Sequence, residues 1–195
     1  MTEPGRSEPT NEELVAQTLK DRDVYSVLIH RFERPLLRYI KRLTNVDGMG
    51  AEDILQEVFI KAYVNLRGFD PTQKFSSWIY RIARNEVISQ FRKRDRRPEG
   101  HTYELGEDII NRLRDDMDIP KDIDRAFLQK AMADALSKMD AKYREVLVLK
   151  YLEEKDYSEI SDILQKPEGT VATLLHRAKK QLRESANLLS IKEAL

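Results

Sequence analysis

The chain has 195 residues, with 34 Lys or Arg against 34 Asp or Glu, so its formal net charge is zero. With 41% apolar and 35% charged residues it can bury a core under a densely ionic surface, which excludes a disordered chain. No apolar run approaches the roughly 20 residues of a spanning helix, and the lack of cysteine excludes disulfides, thiolate nucleophiles and Cys-based zinc sites.

The opening residues show no basic-then-apolar leader pattern, so the expectation is a soluble, cytoplasmic protein without membrane insertion. Residues 1–11 read as a frayed tail rich in Pro, Gly and Ser. Asn11 offers an N-cap, and Glu12 and Glu13 suit the positive end of a helix. Leu14, Val15, Leu19, Val24, Val27 and Leu28 then recur at helical spacing, and Phe32, Leu36, Leu37, Ile40 and Leu43 extend it. Pro35 marks a helix start or kink. After a break at 45–50, a helix is predicted from about Ala51 to Leu66 and another from about Phe75 to Arg94, with a loop between them.

Residues 97–123 have weak periodicity and many acids, and read as a flexible linker with a short helix near Ile109–Leu113. Helical spacing resumes at about Ile123 and continues through Tyr151 and Leu152. No strand alternation or Asn-Gly hairpin is present. The chain is therefore predicted to be all-α, with two compact helical units.

The neutral total hides a segregated pattern. Arg81–Arg97 carries seven bases against Glu86 and Asp95; Pro98–Arg125 is net acidic; Val171–Arg183 has four bases and no acid. Two basic segments flanking an acidic one suggest two polyanion-binding surfaces, although each run alone is equally a solvated helix face.

The sharpest local signal is near the C-terminus. Tyr157–Leu164 reads as a short amphipathic helix and Gln165-Lys166-Pro167 as a turn. Thr170–Arg183 then reads as a second helix burying Val171, Leu175, Ala178 and Leu182. That arrangement is a helix-turn-helix, whose second helix enters a DNA major groove, or an αα-hairpin that only packs. Thr170, Thr173, His176, Arg177 and Lys180 fall outside the buried stripe and are candidate DNA contacts.

In the first unit, Phe75, Trp78, Tyr80 and Phe91 interleave with Arg81, Arg84 and Asn85. Aromatic platforms and cations together suit an unstacked strand. Phe91, Ile82, Ile88 and part of Trp78 are expected in the core; Phe75 and Asn85 are the better contact candidates. Lys74 and Arg92 add cations at either end of the same segment. Asp53, Gln56 and Glu57 share an acidic-polar face that fits a basic partner protein or plain solvent. His30, His101 and His176 are scattered and no Gly-rich phosphate loop occurs, so no catalytic residue, metal site or cofactor is expected.

Together, Asp53–Phe59, Phe75–Asn85, Tyr143–Tyr151 and Glu168–Val171 resemble, in order and spacing, the extracytoplasmic-function (ECF) group of bacterial sigma-70-type transcription initiation factors. The resemblance spans about residues 12–184. It implies a sigma domain 2 at 12–96, a linker at 97–123, a sigma domain 4 at 124–188 and a tail at 189–195. It also implies that Asp53, Gln56 and Glu57 dock onto the clamp helices of core RNA polymerase.

The resemblance further places Lys74, Phe75, Trp78, Arg81, Arg84, Asn85 and Arg92 on the minus-ten element, with one base flipped into a pocket near residues 68–74. Thr170, Thr173, His176, Arg177 and Lys180 would meet the minus-thirty-five element, and the acidic linker would thread toward the RNA exit path. Such factors are usually held by an anti-sigma factor and are monomers when free. Two positions depart from the pattern. Ala172, Thr173 and Leu174 stand where many relatives carry a basic residue and then Ser-Arg. Gln165-Lys166 replaces a Gly-apolar pair in the turn, at a cost of about 1 kcal/mol if Gln165 is left-handed. The other open reading is a helix-turn-helix regulator with an N-terminal ligand or dimerisation domain, which would form a dimer on palindromic half-sites.

Overall fold

The computed structural model describes residues 8–44, 48–94, 105–117, 119–120 and 123–193. Among them are the α-helices α1 (Asn11–Thr18), α2 (Tyr25–Thr44), α3 (Gly48–Asn65), α4 (Phe75–Arg94), α5 (Glu107–Asp116), α6 (Arg125–Lys138), α7 (Ala141–Leu147), α8 (Tyr157–Leu164) and α9 (Glu168–Glu193), and no strand. The terminal residues 1–7 and 194–195 and the break at 45–47 lie outside the described residues, as do 95–104 of the basic-to-acidic junction, His101 included.

The cap of α1 falls one residue earlier than expected. Thr10, extended at φ −64°, accepts from the Glu13 N–H while the Glu13 carboxylate accepts from the Thr10 N–H. A threonine followed three residues on by glutamate satisfies two orphan donors reciprocally, which Asn11 could not do with Leu14. Asn11 instead accepts from Arg31 of α2 at 3.1 Å. Pro35 lies inside α2, whose α-helix runs on through it to Thr44.

Helices α1–α4 form the first unit. Leu28, Leu36, Tyr39 and Ile40 of α2, Ala51, Val58 and Ala62 of α3, and Phe75, Ile79 and Ala83 of α4 are fully buried between them. Phe75 also has ring contacts with Phe32, Phe69 and Trp78, at centroid distances of 5.4, 5.5 and 5.6 Å. The Glu12 carboxylate accepts from the Phe75 N–H at 2.8 Å, satisfying an orphan donor at the N-terminus of α4 with a negative charge. The Tyr25 hydroxyl donates to the Phe59 carbonyl, tying α2 to α3, and burial pushes its pKa up.

Helices α6–α9 form the second unit, with Met132, Val146, Leu149, Ile160, Ile163, Val171, Leu175 and Leu182 at its centre. Between α7 and α8 the chain winds one π-helical turn, Val148–Leu152, and leaves it with Glu154 left-handed at φ 55°. The connecting stretch carries more structure than its weak periodicity suggests. Leu105, Ile110, Leu113, Met117 and Ile119 are buried, and Gln129 of α6 donates to the Leu105 carbonyl at 2.7 Å. One continuous cluster of buried side chains runs through both units and this segment.

Candidate nucleic-acid interface

Helix α8 begins with a capping box. Asp156 accepts from the Glu159 N–H at 2.7 Å, and Glu159 accepts from the Asp156 N–H at 3.2 Å. It ends at Gln165, left-handed at φ 53° and ψ 49°, so the strained conformation expected of this residue is present. The turn is held by local bonds: Ser161 Oγ donates to the Lys166 carbonyl at 2.6 Å and Gln165 Nε2 to the Asp162 carbonyl at 2.7 Å. The Pro167 carbonyl then accepts from the N–H groups of Thr170 and Val171, starting α9. The outer side of α9 exposes Thr170, Thr173, His176, Arg177 and Lys180, while Val171, Leu175, Ala178 and Leu182 are buried. Thr173 Oγ1 donates to the Gly169 carbonyl at 2.9 Å. The interhelical geometry therefore presents one polar, basic helix face over about three turns.

Beside that face, Asp116 at the end of α5 receives the Lys179 ammonium at 3.1 Å and the Tyr151 hydroxyl. These donors, Tyr151 foremost, hold the Asp116 carboxyl below its ordinary value. Asp116, Met117, His176, Lys179, Lys180, Arg183 and Glu184 line a cleft of about 470 Å³ between α5 and α9.

On α3, Asp53, Gln56 and Glu57 are all exposed, and the same face continues into Ile60 at 57% and Val64 at 72% exposure. An acidic end followed by uncovered aliphatic groups on one helix face is suited to a protein partner with a basic rim.

The α4 residues divide. Asn85 and Arg92 are exposed, Arg81 is half-buried, and Phe91 and Ile82 pack partly against the core as expected. Phe75 departs from expectation: it is 0% exposed, the hub of the aromatic cluster, and no base can reach its ring. The reason is its place on α4, on the side that meets α2. Trp78 is 9% exposed and belongs to the same cluster. Lys74, the residue before this helix, and Arg84 within it face acids of the second unit. Lys74 pairs with Asp156 at 3.0 Å and Glu159 at 3.6 Å; Arg84 Nε and Nη2 donate to Glu145 at 2.7 and 3.3 Å.

Sequence reasoning missed those acids, together with Ser76, which donates to Glu159 at 3.3 Å, and Glu153, which accepts from Tyr80. The available signal was the run Glu153-Glu154-Lys155-Asp156 with Glu159, an acidic patch beside a DNA-binding motif.

Two family profiles match: Sigma-70 region 2 over residues 28–97 and Sigma-70, region 4 over residues 129–182. The chain is 36% identical over 174 residues to the ECF RNA polymerase sigma factor SigW of Bacillus subtilis, covering 84% of this chain and 89% of that protein. The chain belongs to the ECF RNA polymerase sigma factors. This sigma factor is also 28% identical to SigM of Bacillus subtilis, over 85% of its own length and 94% of that of SigM.

Solved structures share its fold. CnrH in complex with the cytosolic domain of CnrY aligns with a TM-score of 0.66 at 20% identity, covering 92% of this chain and 99% of that one. RpoE in complex with the anti-sigma factor NepR from Bartonella quintana gives 0.59 at 22% identity, with coverage of 84% and 96%. As a sigma factor, the protein directs core RNA polymerase to specific promoters and assists their melting. The alternative of a regulator with an N-terminal ligand or dimerisation domain is not favoured, because the region 2 match lies where that domain would be. Among the described residues no helix is long and apolar enough to cross a membrane.

Proposed function

We propose that this sigma factor works by binding alone, without catalysing a reaction, through three surfaces on two domains, residues 12–96 and 124–188, joined by 97–123. Asp53, Gln56 and Glu57 dock core polymerase. Lys74, the residue before α4, and the α4 cations Arg81, Arg84 and Arg92, with Asn85, hold the separated minus-ten strand, and Trp78 supports them from the aromatic cluster. Thr170, Thr173, His176, Arg177 and Lys180 meet the minus-thirty-five element. The observation that carries the docking assignment is the uncovered acidic-to-aliphatic face of α3, which no other described element packs against along Asp53, Gln56 and Glu57. The protein is cytoplasmic and monomeric when free. An anti-sigma factor is its natural inhibitor, by analogy with RpoE, whose structure holds NepR.

Core polymerase fixes the separation of the two domains, so each raises the effective concentration of the other on DNA. Both DNA surfaces rest on phosphate neutralisation, so promoter binding falls steeply with salt. Gln56→Ala with Glu57→Ala abolishes holoenzyme formation in a pull-down with core polymerase, while far-UV circular dichroism and melting temperature stay at wild-type values. Wild-type holoenzyme affinity in that variant sinks the docking assignment.

A further inference from the structure

Helix α2 carries Arg31, Arg34, Arg38, Lys41 and Arg42 against a single acid, Glu33. At 3.6 residues per turn, Arg34, Arg38 and Lys41 fall within about 60° of arc, and Glu33 lies outside it. All three are exposed, with exposed His30 one turn before them on the same side. The cations at either edge are engaged within the fold. Arg31 donates to the Pro9 carbonyl at 2.8 Å and to Asn11 at 3.1 Å; Arg42 donates to Glu153 at 2.5 Å and to the Leu152 carbonyl at 2.9 Å. Among the described residues, Arg34, Arg38 and Lys41 form no hydrogen bond or ion pair. A solvated helix face is stabilised by opposite charges three and four residues apart and weakened by like ones. Here Arg34 and Arg38 stand four apart and Arg38 and Lys41 three apart, so the ridge weakens α2 in the free chain and calls for an anion from outside.

The ridge runs into the first half of α4. The Tyr39 and Tyr80 rings lie 5.0 Å apart, and Tyr80 directly precedes Arg81 and stands one turn before Arg84. Burial and then Glu153 raise the pKa of the Tyr80 hydroxyl, while Arg38 draws it back; burial and then Glu145 raise that of Tyr39, while Arg84 draws it back. Cations of each helix therefore act across the contact on the other, and one positive field extends from Arg34 to Arg84.

We infer that Arg34, Arg38 and Lys41 of α2 form a second strand-binding surface, which receives phosphates of the separated promoter strand where it continues past the minus-ten element. This rests on the minus-ten assignment of α4. The chemistry favours a nucleic-acid strand over a protein. A protein interface centres on apolar groups, and no large apolar side chain is exposed between His30 and Lys41, whereas the polymerase-facing α3 exposes Ile60 and Val64. Three cations spread over about 10 Å of helix axis instead suit successive phosphates. Phosphate contacts fix position and carry no sequence information, so the surface adds affinity without altering which promoter is chosen.

The test uses holoenzyme assembled from core polymerase and the full-length chain carrying Arg34→Gln, Arg38→Gln and Lys41→Gln. The probe is a labelled promoter fragment recovered by transcription from a randomised library, with its strands mismatched around the minus-ten element so that melting does not enter. Fluorescence anisotropy over a salt series gives the slope of log affinity against log salt. Three lost contacts to a single strand are expected to make that slope shallower by about two. Holoenzyme formation in the pull-down stays at the wild-type level, and the melting temperature is unchanged or higher because like-charge repulsion is relieved. Arg34→Lys with Arg38→Lys keeps the wild-type slope, and a shallower slope there counts against phosphate neutralisation. A wild-type slope in the neutral triple variant overturns the inference, as does weakened holoenzyme formation, which would assign the ridge to polymerase. Arg81→Gln with Arg92→Gln on α4 reports on the minus-ten reading separately. A slope that falls in that variant and not in the triple variant sinks the ridge alone, and one that falls in neither sinks both.

Discussion

Gln165 is a β-carbon-bearing residue held at φ 53°, the conformation that ends α8 and aims α9. Glycine adopts that region without the steric penalty of about 1 kcal/mol. Gln165→Gly is therefore expected to raise the melting temperature by a few degrees, with the Gln165 Nε2 bond to Asp162 as the offsetting loss. A fall in melting temperature would show that this bond outweighs the strain. At the other end of α8, Asp156 caps the helix and pairs with Lys74 at once. Asp156→Ala is expected to cost about 1 kcal/mol by thermal melting, as the loss of a cap does. Residue identity alone made Gln165 readable, because the turn residues are local, whereas the Asp156 cap and its pairing with Lys74 came from the structure. Phe75 was not readable in the same way, because an aromatic on a helix has the same periodicity whether its side meets a base or a neighbouring helix.

Among the helices, α4, α8 and the buried stripe of α9 follow their apolar spacing closely, while α5 does not. Its acids, Glu107, Asp108, Asp115 and Asp116, dilute the pattern, yet Ile110 and Leu113 are 1% exposed. Asp116 stands at the C-terminal end, where the helix dipole disfavours a carboxylate, and Lys179 and Tyr151 offset that with donors. A connecting segment pinned at both its apolar stripe and its last turn belongs to the packed core. Leu113→Ala is expected to destabilise the chain by about 2–5 kcal/mol, the range for a fully buried leucine. Hydrogen exchange should show faster amide exchange across α5 and the π-helical turn it packs against. Protection unchanged in both would mean that α5 is a loosely held linker.

For the whole molecule, Asp116 and Asp156 pin α5 to α9 and the second unit to the first. Hydrogen bonds hold both carboxyls below the ordinary 3.8, Asp116 mainly through Tyr151 and Asp156 mainly through the Glu159 N–H. A depressed carboxyl contributes stability that is full above its unfolded value and is lost as pH falls through its folded value. Melting temperature is therefore expected to drop below pH 3.8, and less so in Asp116→Asn with Asp156→Asn, which has already lost that contribution. An identical acid limb in the variant would assign the drop to other carboxyls.

The sequence by itself determined the all-helical composition, the helix-turn-helix, the exposed basic face of α9 and the ECF resemblance, because each is written in spacings of a few residues. Only the tertiary structure decided that Phe75 is core, that the linker's apolar residues are buried, and that Glu145 and Glu153 lie on Arg84 and Arg42. Those pairings join positions 61 and 111 residues apart, and a helix's own periodicity says which side is apolar without saying what will cover it.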